Sequence, residues 1–414
     1  MDLIHIEGGK PLFGECRIQG SKNAVLPILA ATVLVKGVVE LDNCPQIADV
    51  ECMIKLLQSV GCRVCMEGQK VTVDAGCISG SILPERYVSR MRSSVIMMGS
   101  MLGRKREVSL SYPGGCVIGK RPIDMHLQGF SQMGIALEEQ GNVLTAQAGQ
   151  LHGGEIYLPF PSVGATENII LAAVLAEGRT IIHGAAREPE ITALCEFLCC
   201  AGADITTMGN GSCICVEGVK SLYPCSFRIP PDRIVTGTYL LGCMAAGGEI
   251  CLRGTDAEQL LAVLKVIEQM GGQLFCEAEY IRLKADKRPA PIPYIKTEVY
   301  PGYPTDLQSP LLVVLALADG ESCMEEDIFE NRFRVVPELC KMGAHILQQG
   351  NRVFIRGTEY LKGAHVMAGE LRGGAALCLA ALAAKGESWI ENRHFIDRGY
   401  EALERDLRSL GGRI

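Results

Sequence analysis

The segment PGGCVIGKRPID, residues 113–124, concentrates residues that can do chemistry. Gly114 to Lys120 satisfies G-x-x-x-x-G-K, the spacing of a phosphate-cradling loop, and the strand-like EVSLSY precedes it. The next position should supply a Ser or Thr to hold magnesium; here it is Arg121, followed by Pro122. No hydrophobic strand ending in Asp stands out as a second nucleotide motif. The loop therefore argues against a P-loop ATPase. What remains is a glycine-rich loop with a thiol, Cys116, four and five residues from the cations Lys120 and Arg121. Nearby cations favour thiolate, so the segment reads as an anion site with a reactive cysteine. A loop cysteine without a role is the plain alternative.

Other charged residues stand at comparable places. Lys22-Asn23, Arg92, Ser162-Val163-Gly164, Asp232-Arg233, Asp306 and Arg372 lie just before or at the start of strongly apolar stretches. If those stretches are helices, their N-termini present free N–H groups and a positive dipole end, which favour anions. A second set of polar loops contains Arg121-Pro122-Ile123-Asp124, Arg187-Glu188-Pro189-Glu190, Glu330-Asn331-Arg332 and Asp397-Arg398-Gly399. Brought together, Lys22, Arg92, Arg121, Arg332, Arg372 and Arg398 would suit a substrate with several phosphates or carboxylates. Taken singly, each is equally a cap or solvated surface. Their recurrence at equivalent positions is what lifts the set.

The elements that must position them repeat along the chain. Leucine-type segments end at Gly61, Gly134, Gly202, Gly271, Gly343 and Gly411, spaced 68 to 73 residues apart. Each reads as a helix stopped by a C′ glycine, and a short alternating strand follows the first five. Each unit also carries one stretch that is apolar nearly all round: AVLPILAATVLV, VIMMGSML, IILAAVLA, YLLGCMAA, LLVVLALA and AALCLAALAA. A helix with no polar face is buried. Six units account for the chain. The sixth lacks its strands, and residues 4–37 align without gaps on 353–386, so residues 1–21 should complete it. The spacing predicts two α/β domains of three units each, 22–229 and 1–21 plus 230–414. Inner helices would be jacketed by sheets, with a cleft between the domains.

Bulk composition sets limits. The chain has 414 residues, 48% hydrophobic and 21% charged, with a net charge of −7. That balance argues against a nucleic-acid surface. The longest apolar runs are about half of what a membrane span needs. MDLIHIEGG has neither a basic start nor a long apolar core, so no signal peptide is expected. Nineteen cysteines, an odd number that includes adjacent Cys199 and Cys200, read as a reducing cytosol and not a disulfide framework. Cys62 and Cys65 form one C-x-x-C with no second pair at zinc spacing. Core packing is the expectation for nearly all cysteines except Cys116.

With SKNAVLPIL, RMRSS, PGGCVIGKRPID, SVGATENI, AAREPEI, PDRIVTGTYL, YPTDLQ, FENRF and HFIDRGYE on the page, the chain resembles the enolpyruvyl transferases over essentially its whole length. The matching branch is that of the UDP-N-acetylglucosamine 1-carboxyvinyltransferases. The resemblance implies two inside-out α/β barrel-like domains of three repeats, with the active site in the interdomain cleft. It implies a cytoplasmic enzyme that transfers the enolpyruvyl group of phosphoenolpyruvate to the 3-hydroxyl of UDP-N-acetylglucosamine, releasing phosphate. That is the first committed step of peptidoglycan synthesis. No cofactor, metal, nucleic acid or membrane is implied.

By the same resemblance, Cys116 is the proton donor, open to covalent adducts and to fosfomycin, and Asp306 is the base. Lys22 is a third catalytic residue, and Lys22, Asn23, Arg121, Arg372 and Arg398 bind phosphoenolpyruvate. The UDP-sugar falls to Asn23, Arg92, Arg121, Pro122, Ile123, Asp124, Met125, Ser162, Val163, Gly164, Asp306, Ile328 and Phe329. Two departures stand out: Glu370 where an Asp is frequent, shifting a supporting carboxylate by one methylene, and Val235 where a Glu is frequent. The shikimate-pathway enolpyruvyl transferase is the nearest alternative, although this chain has no N-A-G-T-type helix start. A non-catalytic sugar-nucleotide-binding paralogue is the other, and it would need neither acid nor base.

Overall fold

The computed structural model describes residues 2–114 and 123–414 of the chain, so Cys116, Arg121 and Pro122 lie outside the described residues. Two compact units emerge, one holding residues 20–114 and 123–230, the other 2–19 and 231–414. Each has its own hydrophobic core.

The first repeat shows how sequence becomes structure. The apolar helix Lys22–Ala31 is buried from Ala24 to Ala31. It leads to the strand Val38–Asp42, the amphipathic helix Ala48–Ser59, and the hairpin Arg63–Glu67 and Lys70–Asp74. Val38–Asp42 pairs antiparallel with Lys70–Asp74 and parallel with the short strand Ser226–Arg228. The register sets Val39 against Val73 and Leu41 against Val71, and all four are buried. This is the inward set that a period of two requires.

The same plan recurs, giving six sheets of three or four strands, five of them mixed and the one of residues 107–111, 136–140 and 143–147 antiparallel. The sheets are open, and among the described residues none closes into a barrel. The helix ends read from the six glycines are present: all six have φ between 75 and 104°, the left-handed conformation of a C′ position.

The inner helices pack on one another within each unit. Met97–Lys105 lies against Val163–Ala173, and Leu371–Ala383 lies against both Arg233–Ala246 and Gln308–Leu317. Every residue of Gln308–Leu317 is buried. The N-terminal strand Leu3–Glu7 pairs antiparallel with Glu387–Glu391, and the Glu7 N–H donates to the Arg413 carbonyl at 2.9 Å. The chain's first strand thus finishes the sheet of its last repeat. Among the described residues, no helix is long and apolar enough to cross a membrane.

The cysteines depart from the expected core packing. Cys65, Cys77, Cys199, Cys200, Cys276 and Cys340 are exposed. Cys65 sits on the outward face of its strand, beside buried Cys62, and Cys199 and Cys200 end a helix at its solvent side. An apolar residue type does not reveal which face of a sheet it occupies.

Candidate active site

In the unit of residues 20–230, Ser21 caps the buried helix: its side chain accepts the Ala24 N–H at 3.3 Å. The cap orients Lys22, whose Nζ lies 2.9 Å from Asp49 Oδ2. The lysine is 12% exposed and the aspartate 5%, so the ammonium is held in a shielded ion pair. Removing one member of such a pair strands the other at a cost of about 3–5 kcal/mol. Asp49 was not singled out from the sequence. Its only local signal is an acid in the first turn of the second helix, the ordinary place for a dipole-favoured carboxylate. Asn23 is half-buried beside Lys22.

Arg92, also half-buried, heads the 3-10 turn Arg92–Ile96. Asp124 opens the helix Asp124–Gln132 and is exposed, Ile123 before it is buried, and Met125 is half-buried. Ser162 caps Val163–Ala173, accepting the Ala165 N–H at 3.4 Å. Val163 and Gly164 then occupy the first turn, where N–H groups have no intrahelical partner.

Further along the same helix, buried Glu167 is influenced by two carboxyls at the start of the helix Pro189–Cys200. Burial, then the carboxyls of Glu190 and Glu188, push Glu167 well above its usual range. The folded protein keeps a proton there that the unfolded chain releases near pH 4.5. The resulting stability is fully present below that unfolded value and is lost as pH rises toward the folded one. The melting temperature should therefore fall more between about pH 5 and about pH 8 in the wild type than in Glu167→Gln. Equal slopes would mean that Glu167 is ionised in the fold.

In the other unit, Asp306 lies on the 3-10 turn Thr305–Leu307, just before the buried helix Gln308–Leu317. Arg332 Nη2 donates to its Oδ1, and Arg372 Nη2 to its Oδ2 at 3.0 Å. Both guanidiniums are 3% exposed. Burial is the largest single effect and disfavours their charge; Asp306 leads the groups that together outweigh it, with Glu370 beside Arg332 and with Tyr400 and Asp232 beside Arg372, so both pKa values stand above the ordinary arginine value. The Arg372 guanidinium also lies 5.6 Å from the centre of the Tyr400 ring.

Glu370 caps the helix Leu371–Ala383 by accepting the Arg372 N–H at 2.8 Å and the Gly373 N–H. Its other contact is Arg332 Nη1, at 3.8 Å. The longer side chain thus folds back on its own helix start. Val235 is wholly buried in the core of this unit.

Glu326 is a second residue that the sequence did not announce. Its Oε1 accepts the N–H groups of Ile328 at 2.6 Å and Phe329 at 3.0 Å, and its Oε2 accepts Thr305 Oγ1 at 2.7 Å. One buried carboxylate therefore ties the Ile328–Phe329 loop to the turn that carries Asp306. Arg332 adds to this by donating from Nε to the Thr305 carbonyl at 3.3 Å and lying 5.4 Å from the centre of the Phe329 ring. Arg398, half-buried, ends the stretch Arg393–Arg398. Its loop is pinned by Gln19, which donates to the Gly399 carbonyl at 3.1 Å and accepts the Glu401 N–H at 2.8 Å.

The two sets hold a lysine paired with an aspartate, a carboxylate bonded by two buried arginines, and helix starts capped by side chains. Comparison with known proteins supplies the family. The profile of the EPSP synthase (3-phosphoshikimate 1-carboxyvinyltransferase) family matches residues 6–407. A UDP-N-acetylglucosamine 1-carboxyvinyltransferase 2 of Caldanaerobacter subterraneus subsp. tengcongensis is 44% identical over 414 residues, covering 100% of this chain and 99% of the relative. The UDP-N-acetylglucosamine 1-carboxyvinyltransferase of Cellvibrio japonicus is 44% identical over 416 residues, with the same coverage.

Among solved structures, the enolpyruvyl transferase NikO from Streptomyces tendae superposes with a TM-score of 0.91 at 23% identity, over 99% of this chain and 98% of that one. An EPSP synthase from Acinetobacter baumannii gives a TM-score of 0.76 at 18% identity, again over 99% and 98%. These two likenesses speak to the fold alone. Sequence relatives matched end to end decide the rest: this chain belongs to the enolpyruvyl transferases, in the family of the UDP-N-acetylglucosamine 1-carboxyvinyltransferases.

Proposed function

We propose that this chain transfers the enolpyruvyl group of phosphoenolpyruvate to the 3-hydroxyl of UDP-N-acetylglucosamine and releases inorganic phosphate, the first committed step of peptidoglycan synthesis in the cytoplasm. The observation that carries this reading is the end-to-end similarity at 44% identity to enzymes bearing that name.

The reaction is an addition followed by an elimination. The sugar hydroxyl bonds to C2 of phosphoenolpyruvate while C3 takes up a proton, giving a tetrahedral phosphorylated ketal. The C2–phosphate bond then breaks, C3 gives back a proton, and the enol ether remains. Asp306 is the base for the hydroxyl, and the two arginines that grip it keep its carboxylate aimed. Cys116 delivers the proton to C3. Lys22, held by Asp49, and Arg121, Arg372 and Arg398 neutralise the phosphate and carboxylate of phosphoenolpyruvate. Asn23, Arg92, residues 121–125, Ser162 to Gly164, Ile328 and Phe329 hold the UDP-sugar. Positive groups of this kind can balance the developing charge through fixed hydrogen bonds.

A phosphate-release assay tests the reading. Phosphate should appear only when phosphoenolpyruvate and UDP-N-acetylglucosamine are both present. Release with shikimate 3-phosphate in place of the nucleotide sugar would instead assign the other enolpyruvyl transfer. No release with either acceptor would leave a binding protein.

A further inference from the structure

Asn168 is wholly buried in the helix Val163–Ala173, at the meeting point of three segments. Its Oδ1 accepts the Gly99 N–H at 2.7 Å, and its Nδ2 donates to the Val95 carbonyl at 3.0 Å. These two contacts fix the amide, because turning it over would set N–H against N–H and oxygen against oxygen. The same Nδ2 lies 2.7 Å from His126 Nδ1. With Nδ2 the donor, Nδ1 must be the acceptor, and the neutral ring carries its proton on Nε2.

The far edge of that ring rests on Gly164. A Cβ at position 164 would stand 2.9 Å from His126 Cε1 and 3.2 Å from Nε2. Glycine is likewise required at 99, where a Cβ would meet the Asn168 carbonyl oxygen at 2.3 Å. One amide therefore joins the segment that follows Arg92, the helix that follows Ile123, and the helix start at Ser162 to Gly164.

We infer that Asn168 is the positioning residue of the nucleotide-sugar site: its amide holds His126 as the Nε2–H tautomer and locks the three recognition segments in register. The inference rests on the UDP-sugar reading above. It makes Asn168 a determinant of UDP-sugar affinity and leaves phosphoenolpyruvate binding to other residues.

Two measurements test it on the full chain. In nitrogen-15 spectra of histidine-labelled wild type, the His126 signal, identified by its loss in His126→Gln, should show a protonated Nε2 and a bare Nδ1. The opposite tautomer overturns the inference, whatever the variants do. In Asn168→Asp, both side-chain oxygens accept, so Nδ1 must carry a proton and the donor to the Val95 carbonyl is lost. The KM for UDP-N-acetylglucosamine should rise about tenfold or more, with kcat and the KM for phosphoenolpyruvate within about threefold of wild type.

His126→Phe, which keeps a ring but loses the N–H, should show the same split and serves if Asn168→Asp does not fold. If both KM values rise together as the melting temperature falls, Asn168 is merely packing and the inference is overturned. Wild-type protein inactive on UDP-N-acetylglucosamine would overturn the assigned reaction instead, while the tautomer remains readable by itself.

Discussion

Replacing Asp306 with Asn should lower kcat about 10²- to 10⁴-fold, the range a positioned general base contributes, while UDP-N-acetylglucosamine affinity stays within a few-fold. The asymmetry follows from what each group does. Many contacts hold the nucleotide sugar, but only a base takes the hydroxyl proton, so its loss falls on the transition state. Asn is the informative substitution because of the two arginines. Arg332 and Arg372 are buried and charged, and Asp306 is the foremost of the groups that offset the cost of burying them. Ala would remove the carboxylate that both guanidiniums bond, with a penalty of up to about 3–5 kcal/mol that confuses turnover with folding. Asn keeps the shape and one acceptor but cannot take the proton. Calorimetric titration of the UDP-sugar beside steady-state rates separates the two effects. A variant turning over within threefold of wild type would remove Asp306 from the role of base.

The contrast between Asp306 and its neighbours shows what the sequence could reveal. The repeat was legible because its markers are local: a C′ glycine must adopt positive φ, and an all-apolar helix must be buried. Asp306 was legible because it stands at the start of such a helix. Glu326 was not, because its partners Thr305 and Phe329 become neighbours only after the chain has formed the strand Glu321–Glu325 and returned. Asp49 was hidden for a related reason. It reads as an unremarkable first-turn acid until the fold sets it against Lys22, 27 residues away. Asn168 carried less signal still, since an Asn inside an apolar helix reveals neither its three partners nor the tautomer it imposes. The misread cysteines belong here too. Periodicity distinguishes the two faces of a strand, but hydrophobicity alone placed Cys65 on the wrong one.

Cys116 lies outside the described residues, so its expected behaviour is argued from its sequence neighbours and from the other thiols. Burial pushes Cys16, Cys44, Cys62, Cys195, Cys243 and Cys378 up to about 12. Burial, then Cys200, does the same to Cys225. At neutral pH only about one in 10⁵ of such thiols is ionised, so these seven are slow nucleophiles. The real competitors are the exposed thiols, among them Cys199 and Cys200. None of these shares the setting of Cys116, in a glycine-rich loop four and five residues from Lys120 and Arg121. Those cations should favour thiolate and attract an anionic reagent. Brief alkylation at neutral pH followed by peptide mapping should find Cys116 modified first. Its lead should widen when the neutral reagent is replaced by fosfomycin, an anionic epoxide that mimics part of phosphoenolpyruvate. Bound UDP-N-acetylglucosamine should quicken the second reaction more than the first. Cys116→Ala should lower turnover by about 10²- to 10⁴-fold, as expected for loss of a general acid. If Cys116 labels no faster than Cys199, and the alanine variant keeps full transferase activity, the loop only cradles an anion and C3 takes its proton from another group.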